Sequence, residues 1–172
     1  GDEIFGGNER YAKDYVYGLY HHLPTWLRRI VEDLTQQLPG QGFVSNRIKN
    51  FAQRGNIPNP ERFYLDDAFA SRWWDMLVHP QLAQLVRRDS SIEVMRRHFQ
   101  QACAGNELDR LMYVDLQMAI WGNDLPKVMT AGRMAGVHVR FPFLDPDLAQ
   151  FTGMLPKHYK VRGLKKRYLF KR

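Results

Sequence analysis

Apolar positions recur at helical spacing along most of this chain, and the polar punctuation between them divides it into short elements. Asn8 opens a helix that runs to about His22, where Leu23-Pro24 breaks it. Thr25 to Leu38 places Trp26, Ile30 and Leu34 on one stripe, and Pro39-Gly40-Gln41-Gly42 ends that helix. Asn46 to Arg54 reads as a short helix with Ile48, Phe51 and Ala52 on its buried side. Asn56 to Pro60, with two prolines, is a turn. Pro60 to Val78 is aromatic-rich and helical with an interruption near Ala70-Ser71, and Pro80 opens a short helix ending about Arg88. Ser90 caps Ser91 to Ala104, and Gly105-Asn106 turns into a helix from Glu107 to Trp121. On that helix Asp115 shares a face with Leu108, Leu111, Met112 and Ala119, so its carboxylate needs a hydrogen-bonding or basic partner.

The stretch from Asn123 to Asp147 changes period. Asn123 can cap a helix with Asp124 and Pro126 in its first turn, and Gly136 can close it. Val137, Val139 and Phe141 alternate with His138 and Arg140, which predicts a half-exposed strand, the only one in the chain. Pro142 stops ladder pairing, and Asp145-Pro146 caps the next helix with proline at its first position. Lys127 and Arg140 are cations in otherwise apolar surroundings.

Composition narrows the class. With 172 residues, 44% hydrophobic and 25% charged, the chain is globular and can bury a core. No apolar run reaches the roughly 18 residues of a membrane span, and no signal peptide is visible. The single cysteine, Cys103, excludes an internal disulfide and a cysteine-based zinc cluster, reads as a small core side chain on a helix, and fits a cytoplasmic protein. Net charge is +7, but residues 157–172 hold eight Lys or Arg and no acid, which leaves the first 156 residues at −1. The body is neutral and the tail is basic. Both ends read as cut, since Gly1-Asp2-Glu3 opens without a preceding element and Lys171-Arg172 stops within an apparent helix, so the expectation is a piece of a longer protein truncated on both sides.

Three stretches resemble the synthetase half of the glutamine-dependent asparagine synthetase family. GDEIFGGNERY at the N-terminus is similar to the second half of that family's GDGGDELFGGYxRY loop. Leu108 to Lys127 aligns without a gap to LDRMLYLDLKTYLPDDLLVK, and RFPFLD resembles the end of KVDRMSMAHGLEARVPFLD. The tail, RYLFKR, is similar to KYLLRRA. Matching positions cover the first eleven residues and most of Leu108 to Arg172, while residues 12–105 match by helical character alone.

The resemblance implies residues 1–172 as the C-terminal part of a single synthetase domain. The fold expected is mainly α, the helical portion of an α/β adenine-nucleotide α-hydrolase-like domain of the PP-loop ATP pyrophosphatase type. It implies amide formation through an acyl-adenylate, with ATP and Mg²⁺, a small-molecule carboxylate as acceptor, and ammonia from glutamine. Such a site needs a metal, cations and close backbone N–H groups for pyrophosphate. Gly1, Gly6 and Gly7 would admit phosphate oxygens to the backbone, Asp2 stands at the metal-associated aspartate, and Glu3 at the glutamate near the acceptor's amino group. Lys127, Arg140, Arg167 and Lys171 are the cations implied, the last two one turn apart if Leu164 to Arg172 is helical. The SGGxDS loop and the cysteine glutaminase region are absent from this sequence, so they are expected as partner regions of the same protein, and the piece alone is expected neither to bind ATP tightly nor to turn over. A homodimer is compatible with this reading, and neither membrane nor nucleic acid is the expected partner.

Plainer roles compete at each position. Gly1-Asp2-Glu3 could be a frayed terminus, Lys127 an exposed helix lysine, Arg140 one half of an ion pair with Asp145, and the tail cations a solvated face. The family's aspartate after KV is Met129 here, its arginine is Thr130, its glutamate is His138, and its tail lysine is Arg167, a fork in place of a point charge. These departures suggest a divergent branch and leave the acceptor open. Two other classes remain: a helical nucleic-acid-binding module, from the basic tail interleaved with Tyr159, Tyr168 and Phe170, and a non-catalytic scaffold member of the family.

Overall fold

The computed structural model describes residues 1–37, 42–65 and 72–172. It begins with one helical turn, Asp2–Phe5 (α1), which Gly6 ends at a left-handed φ of 69°. The Asn8 side chain accepts the Arg10 N–H at 3.0 Å and starts Glu9–His21 (α2), the cap its chemistry predicts. Thr25–Gln36 (α3) and Phe43–Gly55 (α4) pack on each other. The expected stop at Pro39-Gly40-Gln41 and the interruption at Ala70-Ser71 lie outside the described residues. Short turns follow at Glu61–Tyr64 (α5), Trp74–Leu77 (α6) and Pro80–Ala83 (α7), then the longer Ser90–Gln101 (α8).

A continuous helical rod follows. Asn106 accepts the Asp109 N–H at 3.1 Å and caps Glu107–Asp115 (α9), which runs on as a π-helical stretch, Leu116–Asp124, and then as Leu125–Met134 (α10). Asn123 therefore caps nothing, because the wider π turns keep the backbone bonded through it. Gly136, at φ 66°, closes the rod as predicted, with its N–H on Arg133 O and the Val137 N–H on Gly132 O. A 3₁₀ turn at Pro142–Leu144 leads to Pro146–Met154 (α11), whose cap is Asp145, accepting from the Asp147 and Leu148 N–H groups at 3.0 and 3.2 Å. Lys157–Lys160 (α12) ends in a two-strand hairpin, Val161–Arg162 (β1) against Lys165–Lys166 (β2), with Val161 opposite Lys166 and Arg162 opposite Lys165.

The molecule is mainly helical, and its core joins α2, α5, α8 and α9 to β1 through Tyr11, Phe63, Met95, Leu111, Val114 and Val161. Turn α1 lies against α9 and α11, while α2 lies against α4 and β2. No helix among the described residues is long and apolar enough to cross a membrane.

Several expectations fail. Residues 137–141 carry no regular structure and form no ladder, since no strand lies beside them among the described residues; they fold back on α10, with Val139 against Gly132. The strands sit in the tail, where a helix was expected from Leu164 to Arg172. Ile48 is exposed and Phe51 half-buried, stacked 5.0 Å from Tyr17, so only Ala52 of that predicted face is fully buried. Trp26, Ile30 and Leu34 form the predicted stripe, yet all three are exposed. Cys103 is exposed beyond the end of α8, not packed on it. Ser90 is the first residue of α8, after Asp89, and bonds back to Arg87 O; the helix opened by Pro80 is one turn long.

Candidate functional site

The first loop and the last turn of the chain meet. The Arg167 guanidinium lies on the Asp2 carboxylate in fork geometry, Nε to Oδ1 at 2.9 Å and Nη2 to Oδ2 at 3.1 Å, across 165 positions of sequence. Both side chains remain about two-fifths exposed, 43% for Asp2 and 41% for Arg167. Beneath them Gly7 has no room for a side chain, because a Cβ would stand 2.3 Å from Asp2 Oδ1 and 2.6 Å from Arg167 Nε. Arg167 is the one non-glycine described residue at positive φ, 50°, and its N–H donates to Gly6 O at 3.3 Å. Gly6 is pressed too, with a Cβ there 2.8 Å from Val161 Cγ2. Phe170 joins three motif stretches by packing 5.3 Å from Phe5 and 6.3 Å from Phe143 of the RFPFLD run.

Buried ion pairs hold the elements that carry this junction. Asp115, 4% exposed, accepts the Tyr11 hydroxyl at 2.5 Å and Arg10 Nη2 at 2.9 Å, which is the partnered structural role its position on α9 predicts. Burial, and then the Asp115 charge beside it, push the Tyr11 hydroxyl well above its usual pKa. Arg62, 4% exposed, bonds Asp14 at 2.6 Å. Lys160, 2% exposed, bonds Asp109 Oδ1 at 2.6 Å, and Asn106 Nδ2 takes the other oxygen at 2.7 Å. Neither burial is legible in the sequence, since nothing in the local pattern separates Lys160 from Lys157, or Arg62 from the exposed arginines.

Two hollows flank the junction. Glu3 lines one of about 290 Å³ with Asp109, Lys160, Thr152, Cys103 and Tyr113, a small space with carboxylates and one buried ammonium on its wall. The Glu3 carboxylate also stands 3.5 Å from the Gly1 amine. The other, about 890 Å³, is lined by Arg162, Lys165, Lys166, Lys171 and Arg172 with Leu164 and Tyr168. Lys171 and Arg167 thus part company. The Lys171 N–H bonds Arg167 O at 3.1 Å, but the segment is a turn, and the two side chains serve different places.

The remaining candidates stand apart from these contacts. Lys127 is 63% exposed on α10 and pairs with Asp124 at 2.7 Å, one turn back. Arg140 is exposed and makes no ion pair with Asp145 among the described residues; Asp145 is spent on capping α11. Gly1 lies beside the Phe143 ring, within 3.8 Å of where its Cβ would be. No group of three or more His, Cys, Asp or Glu among the described residues could hold a metal by itself. Asp2 is a single carboxylate, which suits a hard Mg²⁺ that takes most of its ligands from phosphate and water, and does not suit a closed zinc site.

With this geometry established, similarity to known proteins gives it context. The sequence model of the family described as asparagine synthase matches residues 1–172. Glutamine-hydrolysing asparagine synthetase 1 of Bacillus subtilis (strain 168) is 23% identical over 99% of this chain and 26% of its own length. A protein provisionally named a glutamine-hydrolysing asparagine synthetase in Mycobacterium bovis is 25% identical over 99% of this chain and 25% of its own length, as is its counterpart in Mycobacterium tuberculosis. The chain spans about a quarter of the length of these curated relatives. No solved structure matches it significantly.

Proposed function

The chain belongs to the asparagine synthase family, and on that premise we propose that it forms the helical portion of the α/β synthetase domain of an ATP-dependent, amide-forming ligase. The observation that carries the reading is the Asp2–Arg167 fork seated on Gly7, which gathers a carboxylate and a guanidinium at one point. In the proposed reaction a carboxylate oxygen of the acceptor attacks the α-phosphorus of ATP, the bond to the bridging oxygen breaks, and pyrophosphate leaves. Ammonia from glutamine then attacks the acyl carbon and AMP departs with the electron pair. Mg²⁺, when bound, supplies charge neutralisation for the phosphate oxygens.

This chain's own residues then have separable tasks. Asp2 offers oxygen ligation to the metal, and Arg167, released from Asp2, offers two parallel N–H donors to the departing pyrophosphate. Gly6 and Gly7 are buried and give both N–H groups to Asp2 O, so, contrary to the phosphate role expected of them, their lack of side chains makes room for Asp2, Arg167 and Val161. Glu3 faces a hollow of about 290 Å³, enough for a small amino acid's ammonium end. Lys127, Arg140 and Lys171 belong to the site only if the rest of the protein brings substrate to them. A cytoplasmic location accords with this chemistry.

The test is pyrophosphate release by the full-length protein given ATP, Mg²⁺, an ammonia source and a panel of carboxylates headed by aspartate. We expect release that needs a carboxylate, with Asp2→Asn and Arg167→Ala each lowering kcat/KM by about 10²-fold, the usual size for loss of one charge-stabilising group. No carboxylate-dependent release under any acceptor would sink the enzyme reading in favour of a non-catalytic family member. The Met129 and His138 replacements already leave room for that outcome.

A further inference from the structure

The hairpin and the last turn set five cations around one hollow of about 890 Å³, and no acidic side chain lines it. Its construction runs against the ordinary rules of sheet pairing. Arg162 stands directly opposite Lys165 in the β1–β2 ladder, a like-charge pair that repels. Lys171 and Arg172 then fold back onto the same side. Lys166 reaches Glu9 at 3.4 Å, but among the described residues no side-chain carboxylate pairs with Arg162, Lys165, Lys171 or Arg172. Two of the cations are held in place. The Tyr168 ring carries the Arg162 guanidinium at 5.1 Å and the Arg172 guanidinium at 4.9 Å, and its hydroxyl accepts Arg162 Nη1 at 2.5 Å.

Repelling cations kept close, two of them rigid, form a receptor that lacks its counter-charge. We propose that this hollow is an oligophosphate site, separate from the Asp2–Arg167 junction. The separation is geometric, because Arg167 points to Asp2 and does not line the hollow. An oligophosphate fits the shape and donors: a compact chain of three or four negative charges, with planar guanidinium forks able to take two oxygens each. Single-stranded nucleic acid fits less well. It needs cations spaced along a groove and open aromatic faces, whereas the Tyr168 ring already bears two guanidinium groups.

The probe is inorganic pyrophosphate, titrated calorimetrically into the full-length protein in magnesium-free, nucleotide-free buffer, with sulfate and a short single-stranded oligonucleotide at matched ionic strength. Pyrophosphate should bind at least tenfold more tightly than sulfate. The double variant R162A/K165A should lose at least tenfold of that affinity, and Lys165→Glu should do the same while leaving the hairpin intact by amide hydrogen exchange. Carboxylate-dependent pyrophosphate release by the unaltered full-length protein, read in parallel, keeps the two readings apart: release without tight magnesium-free binding sinks this proposal alone, and tight binding that R162A/K165A loses, with no release, sinks the ligase reading alone. A matching titration with ATP distinguishes the sources: weakened ATP binding in R162A/K165A assigns the hollow to a nucleotide's phosphate chain, and unchanged ATP binding assigns it to the free anion. Equal affinity for sulfate, full affinity in R162A/K165A, or displacement of pyrophosphate by the oligonucleotide would each overturn the proposal.

Discussion

Asp115 is buried on α9 among Leu111, Met112 and Val114, where an unpartnered carboxylate is costly. A carboxylate on the apolar face of a helix must find partners, and Tyr11 and Arg10 supply them. Asp115→Ala removes the buried carboxylate that Tyr11 and Arg10 both bond, at a cost of about 3 kcal/mol in urea unfolding. Tyr11→Phe should cost about 1.5 kcal/mol, as loss of a hydrogen bond to a charged group. Because the folded Tyr11 hydroxyl titrates above its unfolded value, its contribution is complete below about pH 10 and falls as pH rises beyond it. The unaltered protein should therefore lose stability faster than Tyr11→Phe in alkali.

His21 runs the other way. Burial, and then the Arg62 charge, hold it below its usual pKa, so between that depressed value and about pH 6.5 the unfolded chain binds a proton that folded His21 refuses. Stability should drop on acidification through this window, and His21→Gln should drop less. Parallel pH profiles for the two proteins would remove His21 from the account. At the junction, Arg167→Ala should tighten Mn²⁺ binding by at least about fivefold without nucleotide, read by water-proton relaxation, because two unit charges about 4 Å apart in water are worth roughly 1 kcal/mol and the ion carries two. Weaker Mn²⁺ binding would mean that Asp2 is no metal ligand.

Among the elements, caps were legible and pairings were not. Asn8, Gly136 and Asp145 act where sequence placed them, because a cap is decided within a few residues by one side chain or one φ angle, whereas Ser90 is already the first residue of its helix and Asn123 lies inside the rod. The predicted strand fails for the opposite reason. Alternation over residues 137–141 describes a backbone that could pair, and pairing needs a neighbour; the segment rests on Gly132 instead. A Cβ at Gly132 would meet Val139 Cγ2 at 2.5 Å and Val137 O at 3.2 Å. Gly132→Ala should accordingly displace the 137–141 segment and cost about 1–3 kcal/mol, while Gly18→Ala, with nothing within 4 Å, should not destabilise. The π-helical stretch was also invisible. Leu116–Asp124 carries no proline, and nothing in its apolar pattern separates wider turns from ordinary helical ones.

For the whole molecule, the tail is the element that closes the site. Phe170 on Phe5 and Phe143, Lys166 on Glu9 and Arg167 on Asp2 tie the C-terminal hairpin to the N-terminal loop. Each contact is partly exposed and individually weak, so the closure should be the first part to open. Phe170→Ala should speed hydrogen exchange at the Arg167 N–H, which bonds Gly6 O, and leave the α9 amides slow. Uniform acceleration across both regions would mean that the tail unfolds only with the core. The body also presents the exposed stripe of Trp26, Ile30 and Leu34, and a second apolar set with Met134, Val137 and Met154. The chain corresponds to about a quarter of its curated relatives' length.

Sequence by itself determined the helical class, most caps and turns, the need to partner Asp115, and the family, because each depends on neighbours a few residues away or on a motif read letter by letter. Tertiary structure alone decided that Arg167 serves Asp2 while Lys171 faces the basic hollow, that Lys160 and Arg62 are buried with carboxylates, and that Lys127 stays in water. The reason is distance along the chain. A pairing across 165 positions is selected by how helices pack and where a hairpin folds back, and a linear pattern carries no term for that.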